Sequence, residues 1–343
     1  MRKAITRRQL FAFDFQAAPD AGHWIRVQRT AMACRFEVLL DGRDAGLVSI
    51  AREALDEADR IEAALSLFRE TSELVRVNRL AARGTAVDAE LFGLLRLCRD
   101  LYERTGGAYD ITSTPLSRCW GFLQREGRLP TSDAVDAARA CVGMEHVALG
   151  DPADGRGAAE AKPFVRFLRS GMELNLGSVG KGYALDRMAA LLRRRGVATA
   201  LLSAGGSSVR AVGGSRGGWT IDLHSRRVAR SRLARLHLRD GALGTSGAGE
   251  QYVEVDGTRY GHVLDPRSGR PASGVLSASV VTGDAASADA LSTAFLVGGA
   301  DLAERYCAAH SDTLAIVTLD DGSERPRRFG HFPGVNLAYD EAA

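Results

Sequence analysis

The chain has 343 residues, 45% hydrophobic and 25% charged, with 45 Lys and Arg against 42 Asp and Glu. That length can bury one large core or two lobes, and the composition excludes a disordered chain. A formal net charge of +3 leaves no nucleic-acid footprint, because the Arg-rich runs at 193–195, 226–235 and 325–328 are broken by apolar or acidic residues, as on a solvated face.

No window approaches the apolar length of a membrane span. The cysteines (Cys34, Cys98, Cys119, Cys141 and Cys307) are odd in number and have no short paired spacing, so neither a zinc signature nor a Cys-x-x-Cys redox motif is present. Cys98 and Cys307 fall in helical patterns among apolar residues and read as small core hydrophobes.

Thr6-Arg7-Arg8-Gln9-Leu10-Phe11 looks like a twin-arginine export signal, but Asp14, Gln16, Pro19 and Asp20 interrupt the apolar run that must follow. Residues 1–22 therefore read as a leader or degenerate signal without order. A cytoplasmic location is expected, with periplasmic export as the alternative.

Residues 24–40 read as two short strands with a turn near Ala33. Helical spacing of Ile50, Ala54, Leu55, Ala58, Ile61 and Leu65 predicts a helix over 47–67. A second helix is predicted over 89–104, stopped by Gly106-Gly107, and a third near 133–141. The segment 151–161, rich in Gly, Ala and charge, reads as a flexible loop.

Strands follow at 164–169 and 173–176, then a helix over 181–195. Further strands are expected at 198–203, 208–212, 220–224, 232–239, 242–245, 252–255 and 277–281. Helices near 288–297 and 302–309 precede a last strand at 313–318, and 331–343 form a tail. Strands and helices in blocks, without regular βαβ alternation, favour an α+β layered sheet over a doubly wound fold.

Asn175 to Asp186 is a glycine-punctuated loop feeding a helix. Gly177, Gly180 and Gly182 let backbone amides approach a ligand, the helix N-terminus favours an anion, and Lys181 adds positive charge there. It matches neither the Walker nor the Rossmann pattern, so a plain strand-to-helix turn is the alternative. Ser203 to Ser208 and Ala242 to Gly249 are two more places where backbone comes close to something, the second with hydroxyls at Thr245 and Ser246. Ala108 to Leu116, followed by Trp120-Gly121-Phe122, mixes polar and large apolar groups. That mix suits a flat aromatic ligand, or a buried Trp packed under a loop.

Asp289 and Thr293 are four residues apart, so on a helix a carboxylate and a hydroxyl share one face. Hard oxygens so placed suit Mg²⁺, which is held by one or two protein groups plus substrate phosphates. The alternatives are an Asp that caps the helix and a Thr that bonds back to its own backbone. His262 offers an imidazole beside a turn stiffened by Pro266; it reads as a base or as a structural hydrogen-bonding group of that turn.

Together these pieces resemble the ApbE-like FAD:protein FMN transferase family over nearly the whole chain, from about Met32 to Thr318. The matching segments are Met32 with its following strand, Ser66 to Asn78, Tyr109 to Leu116 with Trp120 to Phe122, Asn175 to Asp186, Ala204 to Gly206, Thr245 to Gly247, His262 to Gly269 and Ala288 to Thr293. The resemblance implies a two-lobed α+β protein of the tunnelling-fold type, with mixed or antiparallel sheets packed by helices. It would form a single domain over 23–330 that binds FAD in a cleft between its lobes.

The resemblance further implies that Mg²⁺ assists splitting of the FAD diphosphate, that FMN passes through a phosphoester to a Thr or Ser of a target flavoprotein, and that AMP leaves. Met32, Phe68, Ala108, Tyr109, Asp110, Asn175, Lys181 and Val263 would line the flavin nucleotide. Ser178 (through its carbonyl), Asp289 and Thr293 would hold the metal, and His262 would be the base.

Two positions depart from the family's pattern. Asn175 stands where an Asp is usual, keeping hydrogen-bonding capacity without the charge, and Phe68 stands where a stacking Tyr or Trp is common. Competing functions are an Mg²⁺-dependent FAD pyrophosphatase, with water in place of the acceptor hydroxyl, and a flavin-binding protein without turnover. The partners expected are FAD and an acceptor flavoprotein, with neither nucleic acid nor an integral membrane span.

Overall fold

The structure, a computed structural model, describes residues 14–16, 24–41, 46–150, 162–214, 218–224, 232–248, 252–255, 258–323 and 325–339. The export-like segment at Thr6–Phe11 and the loop at 151–161 lie outside the described residues. Seven helices are found among them: α1 Gly46–Leu65, α2 Glu73–Leu80, α3 Ala89–Arg104, α4 Thr114–Cys119, α5 Ser132–Arg139, α6 Gly180–Arg194 and α7 Ala285–Ala309. The chain forms two compact units. The first comprises Ala63–Ser178 with Ala248–Ala272, and the second the described residues of Gln9–Glu62, Val179–Gly247 and Ser273–Ala343.

An eight-stranded sheet organises the second unit. Its order is Pro326–Gly330, Leu314–Leu319, Val275–Thr282, Ala242–Gly247, Ser208–Val212, Ala200–Ala204, Cys34–Asp41 and Trp24–Ala31. Every neighbouring pair is antiparallel, so the α+β expectation holds. The last two strands meet in a two-residue hairpin at Met32 and Ala33, whose φ values of 49° and 55° are those a tight primed turn requires.

Helices α6 and α7 cover one face of this sheet. The other face packs on a four-stranded sheet of Asp14–Gln16, Trp219–His224, Arg232–Leu238 and Val335–Tyr339. The apolar layer between the sheets includes Leu201, Val209, Leu243, Val281 and Ile316 on one side and Trp219, Ile221, Leu236 and Leu238 on the other. The apolar alternation of these strands is what places them there.

Several expected boundaries shift. Residues 14–16, inside the span read as a leader, form a strand against Trp219–His224. The strand at 313–318 is not the last: Pro326–Gly330 and Val335–Tyr339 follow it. The first of these is an edge strand rich in Arg, and such charged edges carry little alternation to read. The two helices expected after 288 form α7, broken at Gly299, where φ 74° and ψ −169° leave helical space.

In the first unit α3 buries Leu91, Phe92, Leu94, Leu95, Cys98 and Leu101. It ends where Gly106 and Gly107 take φ values of 58° and 75°. A three-stranded sheet runs in the order Thr85–Ala86, Phe164–Phe167, Val147–Gly150. Residues 173–176, which the sequence pattern reads as a strand, belong to no ladder. The Asn78 side chain takes the place of a partner strand there, donating to the Leu174 carbonyl at 3.0 Å and accepting its amide at 2.8 Å.

Candidate functional site

In the second unit, α6 and α7 meet near their N-termini, and Asp289 is the residue they enclose. It lies in the second turn of α7 and is only 4% exposed; the cap of that helix is Asp284, which accepts the Ser287 amide. Asp289 is therefore not a cap. Oδ1 accepts the Ser208 hydroxyl at 2.6 Å and Oδ2 accepts the Gly182 amide at 2.8 Å, with Lys181 Nζ 3.9 Å from Oδ2. Burial raises the pKa of this carboxyl, while Lys181, Ser208 and Gly182 pull it down.

Glycine makes this approach possible. A Cβ on Gly182 would stand 2.0 Å from the Ala285 carbonyl oxygen, and one on Gly244 would stand 2.5 Å from the Ala288 carbonyl carbon. The amide of Gly182, expected to face a ligand, thus serves Asp289. Gly180, by contrast, has nothing within 4 Å of a built Cβ. Thr293 shares the face of Asp289, but its hydroxyl lies 3.3 Å from the Asp289 carbonyl and 3.2 Å from Ser246 Oγ, so the back-bonded geometry is present.

Met32 occupies the hairpin turn next to Cys34. The second glycine-rich turn closes on that cysteine, since a Cβ on Gly205 would meet Cys34 Cβ at 3.0 Å.

In the first unit, Ala108, Tyr109 and Asp110 are buried at 1%, 1% and 8% exposure. The Tyr109 hydroxyl faces Cys98 Sγ at 3.7 Å. Asp110 Oδ1 accepts the amide and the hydroxyl of Thr112 at 2.8 and 2.7 Å, and burial pushes its carboxyl up to about 6. Asn175 joins this segment by donating its amide to the Ile111 carbonyl, while its Oδ1 accepts the Gly177 amide at 2.9 Å, an Asx turn. Ser178, at the end of this unit, is half-buried.

Phe68 is 77% exposed on a loop ordered by Ser66, whose Oγ accepts the amides of Phe68 and Arg69.

His262 and Val263 are half-buried at the start of the loop that ends at Gly269. Trp120 holds the far end, its Nε1 donating to the Gly269 carbonyl at 2.9 Å. Trp120 and Phe122 belong to a core with Leu116, Val253 and Leu264, so Trp120 is packed as a buried side chain under the loop. A concavity of about 520 Å³ is lined by Asp110, Gly107, Arg139, Glu145, Pro266 and Arg267 among others, which brings the Asp110 segment and the loop after His262 to one surface.

Sequence reading missed Ser208 and Asp186. Ser208 stands in a segment recognised only as a close turn, and its partner lies 81 residues away. Asp186 ends the recognised glycine-rich block, yet nothing in local spacing shows that its carboxylate accepts the amides of Ala285 and Ala286. Among the described residues no three His, Cys, Asp or Glu side chains gather into a metal cluster, and no helix is long and apolar enough to cross a membrane.

Comparison with known proteins places this geometry in context. Residues 30–318 match the model of the ApbE family. A Vibrio cholerae protein named FAD:protein FMN transferase is 31% identical over 266 residues, covering 75% of this chain and 76% of its own. An Escherichia coli K12 protein of the same name is 27% identical over 287 residues, covering 82% and 79%. The crystal structure of the ApbE protein from Thermotoga maritima matches with a TM-score of 0.79 at 28% identity, covering 90% of this chain and 97% of that one.

Proposed function

The chain belongs to the ApbE family, and from that premise we propose that it is an FAD:protein FMN transferase that uses Mg²⁺ and a Thr or Ser acceptor. The observation that carries the reading is the buried Asp289 carboxylate beside Lys181 at the start of α6. A carboxylate so buried calls for countercharge, and one ammonium at 3.9 Å supplies only part of it.

The candidate donors, the Asp289 carboxylate, the Thr293 hydroxyl and the Ser178 carbonyl, are hard oxygens and fit Mg²⁺ in kind. Once bound, the ion would neutralise phosphate charge and polarise a phosphoryl oxygen. Lys181 and the α6 N-terminus favour the diphosphate anion. Exposed Phe68 offers a ring for stacking on the flavin. Met32, Ala108, Tyr109, Asp110, Asn175 and Val263 complete the proposed flavin-nucleotide contacts.

His262 is the proposed base. The acceptor hydroxyl loses its proton to the imidazole as its oxygen bonds to the FMN phosphorus, and the phosphorus–oxygen bond to AMP breaks with AMP taking the electron pair.

The test is incubation with FAD and Mg²⁺, with and without a flavoprotein acceptor bearing an accessible Thr. Acceptor-dependent AMP release together with FMN covalently attached to the acceptor, read by mass spectrometry, is expected. AMP with only free FMN, acceptor present, would favour the pyrophosphatase instead, and no AMP in either arm would overturn both.

A further inference from the structure

Two rungs one helical turn apart join α6 to α7. In the first, the Gly182 amide of α6 donates to Asp289 Oδ2 of α7 at 2.8 Å. In the second the direction reverses: the Ala285 and Ala286 amides of α7 donate to Asp186 Oδ1 and Oδ2 of α6, each at 2.9 Å. Residues 182 and 186 are one turn apart on α6, as 285 and 289 are on α7. These two amides are among the orphan donors of a helix start, and Asp284 takes the third through Ser287. A side chain from α6 therefore completes the N-terminus of α7.

We propose that Asp186 is a positioning residue for Asp289, fixing α7 against α6 through the first two amides of α7 and so setting where the Asp289 carboxylate stands beside Lys181. The inference rests on reading Asp289 as the metal ligand.

The surroundings of Asp186 agree with a structural carboxylate under load. Arg210, with a side chain 8% exposed, brings Nε to 3.3 Å from Asp186 Oδ1. Asp284, the cap of α7, faces it with like charge, and Arg193 on α6 and Asp240 lie near Arg210. Burial and Asp284 push the Asp186 carboxyl up to about 7. No Gly182 side chain can substitute for the contact, since a Cβ there would strike the Ala285 carbonyl.

Asp186→Asn keeps the size but presents an NH₂ to one of the two amides, breaking half the rung. Mn²⁺ binding to the full chain, followed by electron paramagnetic resonance without FAD, reads the effect independently of turnover. Weakening of about 10-fold is expected, the usual cost of disturbing the partner that orients a metal ligand. The KM for FAD should be unchanged while kcat falls.

Ile316→Ala, in the layer between the two sheets, should lower Tm while leaving Mn²⁺ affinity intact. If Asp186→Asn fails to fold, Asp186→Glu keeps the charge but displaces the rung, and it should weaken Mn²⁺ in the same way. Wild-type affinity in either variant, with Tm alone reduced, makes Asp186 merely structural and overturns the proposal. Absence of Mn²⁺ binding in the wild type would overturn the metal reading and this one with it.

Discussion

Gly182 and Asp289 face each other so closely that the amide of one bonds the carboxylate of the other at 2.8 Å, and a methyl group on Gly182 would stand 2.0 Å from the Ala285 carbonyl. Gly182→Ala must therefore move backbone, and a loss of roughly 1–3 kcal/mol in urea unfolding is expected. Gly180→Ala is the contrast. Its Cβ meets nothing within 4 Å, and the variant should be neutral or more stable by about 0.5–1 kcal/mol. Equal effects of the two substitutions would show that the helices do not approach as described.

Ser208 supplies the shortest bond to Asp289, 2.6 Å from Oγ to Oδ1. Ser208→Ala leaves a buried carboxylate short of a donor, at a cost of about 1–3 kcal/mol. If Asp289 holds the metal, the variant should also need a different Mg²⁺ concentration for half-maximal FAD cleavage. An unchanged Mg²⁺ response with reduced stability would separate the hydroxyl from the metal site.

The loop that begins at His262 is tied down by Trp120, through Nε1 and the Gly269 carbonyl at 2.9 Å. Trp120→Phe keeps most of the apolar contact and loses that bond. A stability loss of about 1 kcal/mol and a slower transfer step at saturating FAD are expected. Stopped-flow measurement of AMP release reads the second effect; a rate equal to the wild type would mean that the loop needs no such anchor.

His262→Ala tests the proposed base directly. General-base assistance is worth about 10²–10⁴-fold, so the transfer rate should fall by that factor with FAD still bound. Loss of FAD binding with turnover retained at saturating FAD would make His262 a binding residue.

Much of this was legible because apolar periodicity is local. The spacing of Leu91, Leu94, Leu95, Cys98 and Leu101 marks α3, and the two helical stretches expected near 288–297 and 302–309 are the two parts of α7 on either side of Gly299. The candidate residues Lys181, Asp289 and Thr293 were named from their blocks, and α6 and α7 bring Lys181 and Asp289 to 3.9 Å. What local pattern could not carry is pairing across distance. Ser208 and Asp289 are 81 residues apart, and Asp186 and Ala285 are 99 apart, so neither pair shows in local spacing. Asn78, which stands in for a strand beside Leu174, is 96 residues away from it. Gly182 looked like a ligand-facing glycine because a sequence shows that a Cβ is missing but not what fills the space.

Asp110 makes the pH dependence of folding testable. Its carboxyl is pushed up to about 6 by burial, against the opposing effect of its hydrogen bonds from Thr112. In the unfolded chain an aspartate titrates near 3.9. Between about pH 4 and 6 the folded protein thus holds a proton that the unfolded chain has released. Stability falls as pH rises whenever the native state binds more protons, so this group's contribution is complete below about pH 4 and lost above about pH 6. Asp186 and Asp289 shift in the same direction, so the wild-type slope is shared among them. A difference measurement isolates Asp110. Asp110→Asn keeps an oxygen for the Thr112 donors and removes the titration. The gap in unfolding free energy, variant minus wild type, should grow by up to about 3 kcal/mol between pH 4 and pH 7. Urea titrations at four pH values give that gap, and a gap that stays constant would mean Asp110 is ionised in the folded protein as readily as in the unfolded one.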